Sequence, residues 1–314
     1  MLDVKEWTRT AVLAFLATAP ATALGQVSAG GATIAHPAFT CSTFPYKAFV
    51  PRGAALSLRD QRNAEQDYAT GEDFYYGAGG IAPDHKAAAA WFRRAAEAGD
   101  ARAQLFMGSL SENGDGVPRD DGQAAKWYRL AAAQGDARAQ LRLGLGLSGQ
   151  WTLQDDAEAA KWLLEAARQD VPQAQVALAH AYYHGEGVQR DLLQAFRWEM
   201  KAAYHGEAKA EYYLGSMYAD ADGVKRDYRE AARWMRKAAD QNYPCAENRL
   251  GTMYEEGQGV RVNYAEAAYW YSRAASHGLE LGQDNLDRMT KMGVRVPTRV
   301  ASVFPAAWDA FRRT

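Results

Sequence analysis

Residues 101–136 read ARAQLFMGSLSENGDGVPRDDGQAAKWYRLAAAQGD, and the same grammar returns at 208–243 as AKAEYYLGSMYADADGVKRDYREAARWMRKAADQNY. In the first half of each, small and apolar residues fall at offsets of 0, 4, 5 and 8: Ala103, Met107, Gly108 and Ser111, then Ala210, Leu214, Gly215 and Tyr218. Ala246, Leu250, Gly251 and Tyr254 repeat the series. That spacing is one face of a 3.6-residue helix, and its glycine omits a side chain where a partner helix must come close. A Gly-x-Gly-Val turn follows at 114–117, 185–188 and 257–260, where glycine supplies the positive backbone angle that ends a helix. Asp120, Asp191 and Asp227 stand ahead of the second helix, where a carboxylate caps free amides. Ala124, Trp127 and Ala131 form that helix's inward stripe, which predicts a buried indole among small neighbours. Gly135-Asp136 closes the unit, the Asp capping the next one.

The period extends outward in both directions. Trp91, Trp127, Trp162, Trp198, Trp234 and Trp270 are separated by 36, 35, 36, 36 and 36 residues, and an Ala-Ala pair begins four residues after each. A fixed period in the 20–50 range marks a solenoid, because each unit buries its apolar face only against its neighbours.

These residues carry a family resemblance. Ala-x-x-x-Leu-Gly-x-x-Tyr, Gly-x-Gly-Val-x-x-Asp and Ala-x-x-Trp-x-x-x-Ala-Ala-x-x-Gly together resemble the Sel-one-like repeat (SLR), a relative of the tetratricopeptide repeat. The resemblance implies an all-α fold, a right-handed α-solenoid of about six helix–turn–helix units at 64–100, 101–136, 137–171, 172–207, 208–243 and 244–279. The first unit is one residue longer and has Thr70 where Leu is expected; the third is one shorter and has Ser148-Gly149-Gln150-Trp151 in place of Gly-x-Gly-Val. Both predict altered turns, with Trp151 exposed. Residues 280–292 fit a C-terminal capping helix with Leu281, Leu286 and Met289 facing the last repeat, and 293–314 form a tail.

Ahead of the repeats, Lys5 and Arg9 precede the uncharged apolar stretch Ala11–Leu24, and Ala21-Thr22-Ala23 offers a small-x-small cleavage site. This predicts a signal peptide over 1–23, cut after Ala23, and export to the periplasm; an uncleaved apolar helix or a disordered start is the alternative. The stretch is too short for a comfortable membrane span, so no stable membrane insertion is expected after cleavage. Residues 24–63, with Gly, Ser, Thr and Pro throughout their first half, read as a linker or N-terminal cap. Two cysteines, Cys41 and Cys245, allow one disulfide without showing that they meet. Unpaired thiols are expected.

Charge is balanced, with 36 Lys and Arg against 38 Asp and Glu. No basic stripe exists to displace counterions, so no nucleic-acid partner is expected. The chain contains no G-x-S-x-G, S-x-x-K, H-E-x-x-H, C-x-x-C or Walker loop, and neither a catalytic residue nor a cofactor is predicted. His180 and His184, four apart on one helix with Glu186 or His205 nearby in sequence, have a spacing that can hold a metal; a pair on a binding surface is the plainer reading, and no metal is assigned.

A protein partner is expected instead. In a two-helix solenoid the first helices line the concave side, where repeat positions 3, 7, 8 and 11 point to the core and 2, 5, 9, 12 and 13 lie roughly opposite. The latter vary between units: Arg102, Leu105 and Glu112; Arg138 and Leu141; His180, Tyr183 and His184; Lys209, Tyr212 and Asp220; Asn248, Glu255 and Glu256. The early units are basic there and the last two mostly acidic, which predicts a partner of opposite polarity along the groove.

By resemblance, bacterial SLR proteins act as adaptors, regulators or inhibitors in the cell envelope. The implied roles are a periplasmic inhibitor or immunity-type protein that occludes a toxin or enzyme such as a type VI secreted lipase, or a scaffold or regulator for exopolysaccharide export or signalling. A more distant one is a β-lactamase-like SLR enzyme. Enzymes of that last kind carry a cysteine pair in most repeats, which this chain lacks.

Overall fold

The computed structural model describes residues 58–80 and 82–296. The stretch expected to be a signal peptide, most of the expected linker including Cys41, and the tail beyond 296 lie outside the described residues. Within them the chain forms thirteen α-helices and no strand. They run as pairs: α1 (Leu58–Tyr76) with α2 (His85–Glu97), α3 (Ala101–Asn113) with α4 (Asp121–Ala133), α5 (Ala137–Leu145) with α6 (Asp156–Arg168), α7 (Pro172–His184) with α8 (Leu192–Tyr204), α9 (Ala208–Asp220) with α10 (Tyr228–Asp240), and α11 (Pro244–Glu256) with α12 (Tyr264–Ser276). A last helix, α13 (Glu280–Lys291), stands alone. Each helix packs on the ones before and after it in the chain, the arrangement of an all-α solenoid.

Local chemistry sets the boundaries. Every second helix has a side-chain cap: Asp84, Asp120, Asp155, Asp191, Asp227 and Asn263 each accept from an amide of the first turn. Asp100 and Asp136 do the same for α3 and α5, whereas α7 and α11 begin on Pro172 and Pro244, whose fixed φ suits the first helical position. Three first helices end on a left-handed glycine, Gly114, Gly185 or Gly257; α9 ends on Ala221 at φ 68°.

The second glycine of each turn has a different task. A Cβ on Gly116, Gly187, Gly223 or Gly259 would collide with the carbonyl of His85, Asp156, Leu192 or Tyr228. Each of those residues begins the second helix of the preceding repeat. The turn of one repeat thus lies directly on the N-terminus of its neighbour's second helix.

Within a repeat, the helix pair closes on the small residue at position 8. Cβ atoms on Gly71, Gly108, Gly144, Gly215 and Gly251 would lie 2.6–3.1 Å from Phe92, Tyr128, Leu163, Met235 and Tyr271 respectively. These five, one residue after the tryptophans, are the side chains driven to full burial.

That corrects the expectation for the indoles. Trp234 and Trp270 are buried, but Trp91, Trp127, Trp162 and Trp198 are only half-buried. Each indole after the first packs into the cluster holding the Ala-Ala pair of the preceding repeat: Trp127 with Ala95 and Ala96, Trp162 with Ala131 and Ala132, Trp198 with Ala166 and Ala167. At several of them the outer side is covered by a cation. Arg94, Lys201 and Lys237 lie 4.5, 4.3 and 3.7 Å over Trp91, Trp198 and Trp234, three residues on along the helix. The indole is a spacer between second helices, and at these positions its remaining face is shielded by a cation–π contact.

Polar side chains join the repeats too. Gln104, Gln140 and Gln175 are buried and donate back to the carbonyls of Ala96, Ala132 and Ala167. Gln134 and Gln169 close onto Gln104 and Gln140 at 2.7 and 2.8 Å. Towards the C-terminus the same positions become ionic: Glu211 accepts from Gln241, and Glu247, wholly buried, meets Arg273 and His277 at 2.9 and 2.8 Å.

Both irregular turns are altered. The first ends in a short 3₁₀ segment at Ala78–Gly80, after a helix that begins earlier than residue 64. In the third, a π-helical segment at Gly146–Gln150 replaces the glycine turn and turns Trp151 inward, not into solvent. Its indole is 6% exposed, stacks parallel to Tyr128 at 6.0 Å and occupies the space a Cβ on Gly146 would need. On α13, Met289 is buried and Leu286 half-buried, but Leu281 is 50% exposed. Gly282 takes its place against Ala274 and Ala275.

Gly108→Ala would drive a methyl into the Tyr128 ring, and we expect a loss of about 1–3 kcal/mol from overpacking. Gly187→Ala adds a left-handed φ of 67° and a backbone collision, and should lower the urea midpoint further. An unchanged midpoint for both would contradict the close approach.

Candidate functional site

The first helices present the face on which the fourteen candidate residues fall, and the structure divides twelve of them into three groups, with His180 and Lys209 half-buried apart from these. Position 5 is packing. Leu105 and Leu141 join the core clusters, and Tyr212 meets the Tyr243 ring at 5.4 Å. Asn248 is 9% exposed and accepts from Asn285 of α13 at 2.9 Å. Asn248 was expected on an open surface; consecutive first helices lie side by side, and position 5 falls in the seam between them.

Position 12 buttresses that seam. Glu112 accepts from the Tyr128 hydroxyl at 2.8 Å and from the Trp151 indole at 3.4 Å. Glu255 accepts from the Tyr271 hydroxyl at 2.8 Å and forms a two-pronged pair with Arg288 of α13. Hydrogen bonding from Arg288 holds the Glu255 carboxyl below the usual carboxylate range, against burial. Tyr183 donates to Asp222 in the next repeat's turn at 2.6 Å, and this bond, with burial, pushes its hydroxyl up to about 12. Tyr75 does the same to Asp115, which also meets His85 stacked beneath the Tyr75 ring.

Arg102, Arg138, His184, Asp220 and Glu256 are exposed. Arg102 and Arg138 fold back on their helix caps, Asp100 and Asp136, and Asp220 lies 3.9 Å from Arg249. Such solvated pairs are weak and break readily for a partner. His184 stands 4.2 Å from His180, ring to ring, and His180 pairs with Glu186 at 3.3 Å. Burial, then the neighbouring His184, lowers the His180 pKa. Lys209 is half-buried and interacts with buried Glu199. Among the described residues no three or more His, Cys, Asp or Glu side chains are arranged to hold a metal ion, and His205 sits apart as the C-cap of α8.

Sequence reasoning passed over position 6 of the repeat. Phe106, Arg142, Tyr213 and Arg249 are half-buried beside position 5 and differ from unit to unit. The same variability that singled out the other positions was available for these. Two open clefts lie elsewhere, one of about 320 Å³ bounded by α1, Trp91 and Arg94, the other of about 560 Å³ beside Asp120 and Leu153; neither includes any of the fourteen residues. No helix among the described residues is long and apolar enough to cross a membrane.

Comparison with known proteins bears on this geometry. The Sel1 repeat profile matches residues 67–100, 101–136, 137–171, 172–207, 208–243 and 246–279. A search of the curated proteins found no match. Among solved structures, a protective antigen present in uropathogenic Escherichia coli strains, displaying an SLR fold, is 32% identical with a TM-score of 0.70, over 78% of this chain and 52% of that one. A Sel1 repeat protein from Oxalobacter formigenes is 31% identical with a TM-score of 0.66, over 80% of this chain and 75% of that one. The chain therefore spans about half the length of the E. coli antigen.

The division into groups is testable by stability alone. Glu112→Ala removes the acceptor of two buried donors and should cost about 1–3 kcal/mol. Arg138→Ala should stay within about 0.5 kcal/mol of the parent in the same denaturation series. Equal effects would show that position 12 does not buttress the seam.

Proposed function

Because the chain belongs to the Sel1 repeat family, we propose that it is a protein-binding SLR protein of the periplasm, an inhibitor or immunity-type protein that occludes a partner toxin or enzyme on its first-helix face. One observation carries this reading. Arg102, Arg138, His184, Asp220 and Glu256 are exposed; position 2 is Arg in two repeats and Lys209 in a later one, and position 13 changes through His184, Asp220 and Glu256, while the glycine and alanine positions beneath them recur. A scaffold that holds its frame constant and varies only its outward groups suits one asymmetric macromolecule.

Rigidity supports inhibition in particular. The helices carrying these side chains start on an aspartate cap at α3 and α5 or on a proline at α7 and α11 and are locked to their neighbours, so little order remains to be imposed on binding. The exposed groups are charged or aromatic, types that steer encounter and select partners. The E. coli relative is described as a protective antigen, a role in keeping with an envelope location, and Ala11–Leu24 with Ala21-Thr22-Ala23 supports export.

The decisive experiment is capture of partners from periplasmic extract by the parent and by an Arg102→Glu, Arg138→Glu, Glu256→Lys variant, with mass spectrometry of what is retained. The variant should keep its helical signal and lose at least about tenfold in partner recovery, since each reversal replaces attraction by repulsion. Undiminished capture would remove the binding role from this face. Adding the purified chain to the captured partner should suppress that partner's activity; a partner left fully active would replace inhibition with scaffolding. Amino-terminal sequencing of the exported protein should begin at Leu24, and an intact Met1 would refute cleavage.

A further inference from the structure

One joint in the solenoid breaks the rule that governs the other five. In the fourth repeat the position-8 glycine is Ala179, 1% exposed, and the residue standing where Phe92, Tyr128, Leu163, Met235 and Tyr271 stand elsewhere is Glu199, 4% exposed. A carboxyl thus occupies a site that the rest of the protein fills with a ring or an aliphatic chain. Its Oε2 receives no hydrogen bond.

The groups around it do little to help an ionised carboxylate. From α7 the packed residue at this register is Ala179, with His180 beyond it beside Lys209. From α9 come Lys209 and Tyr213, with Glu207 at the helix start, and Tyr243 stands ahead of α11. Burial pushes the Glu199 carboxyl well above the ordinary carboxylate range; Lys209 opposes the shift and Glu207 adds to it. The same burial lowers the Lys209 ammonium.

We propose that Glu199, at the joint where α8 meets both Ala179 of its own repeat and α9 of the next, makes that joint proton-sensitive, closed when the carboxyl is protonated and loosened when it ionises. A neutral carboxyl packs in this site almost as an amide would. An ionised one has too few donors in a site closed to water, and the solenoid relieves it by separating α8 from α9. Lys209, His180 and Tyr212 flank this joint, so its opening alters the middle of the first-helix face. Because the folded-state pKa is raised, the stability contributed by the protonated form is complete below the unfolded value of 4.5 and is lost as pH rises through Glu199's own value.

The test compares the full chain with Glu199→Gln and Glu199→Met, the latter carrying the side chain of Met235. As pH rises above about 4.5, the folding constant of the parent should fall relative to that of the Gln variant, by up to about tenfold per pH unit. Amide exchange in α8 and α9, corrected for its intrinsic pH dependence, should accelerate with pH in the parent more than in α4 and α5, and not in the Gln variant. The Met variant should unfold at higher urea than the parent above pH about 4.5 and show no such trend. A parent-to-Gln ratio that stays constant overturns the proposal, and so does acceleration spread evenly along the solenoid. The Gln comparison decides the matter even if the Met variant does not fold.

Discussion

Close approach of helices through residues with little or no side chain is the constraint on which the rest of this molecule depends. At Gly71, Gly108, Gly144, Gly215 and Gly251 a single added carbon would fall inside the van der Waals surface of the facing ring or chain. The Ala-Ala pairs do the same between repeats, giving the next indole a flat seat. Small residues at these contacts bring the backbones near enough for the large side chains one position along to be enclosed. A solenoid has no central core, so each such contact must be made again in every repeat.

Around that apolar frame runs a second set of fastenings. The Gln104–Gln134 and Gln140–Gln169 pairs and the Tyr–carboxylate bonds connect groups that burial would otherwise leave without partners. Buried polar groups of this kind add modest stability when satisfied and cost far more when left unpaired, so they fix which residues may meet. Their character drifts along the chain, from amide pairs in the early repeats to the Glu247, Arg273 and His277 cluster in the last. Oε2 of Glu199 is one of the buried atoms among the described residues at which this satisfaction fails.

The candidate face is what these fastenings leave over. Of the fourteen side chains that a helical wheel directs outward, Glu112, Tyr183 and Glu255 are engaged in holding neighbouring elements, Leu105, Leu141, Tyr212 and Asn248 lie in the seam between first helices, and His180 and Lys209 are half-buried beside Glu186 and Glu199. Arg102, Arg138, His184, Asp220 and Glu256 are the ones presented to solvent. The expected polarity is softened, because Glu255 is neutralised by Arg288 and Asp220 approaches Arg249.

The sequence by itself determined the period, the helix pairs, their caps and turns, and the family, because each is written in local spacing: small residues every 3.6 positions, a glycine where φ must be positive, an aspartate where amides are free. It also showed that the turns of the first and third repeats would differ. Tertiary structure decided which large residue fills each joint, so that Tyr128 and not Trp127 is enclosed. It turned Trp151 inward through a π-helical segment, buried Asn248 against α13 and set Gly282 where Leu281 was expected. A helical wheel gives one inward direction, whereas a helix inside a solenoid touches its pair and both neighbouring repeats. Directions that look outward from one helix alone are closed by the next, and only the stacked structure shows which.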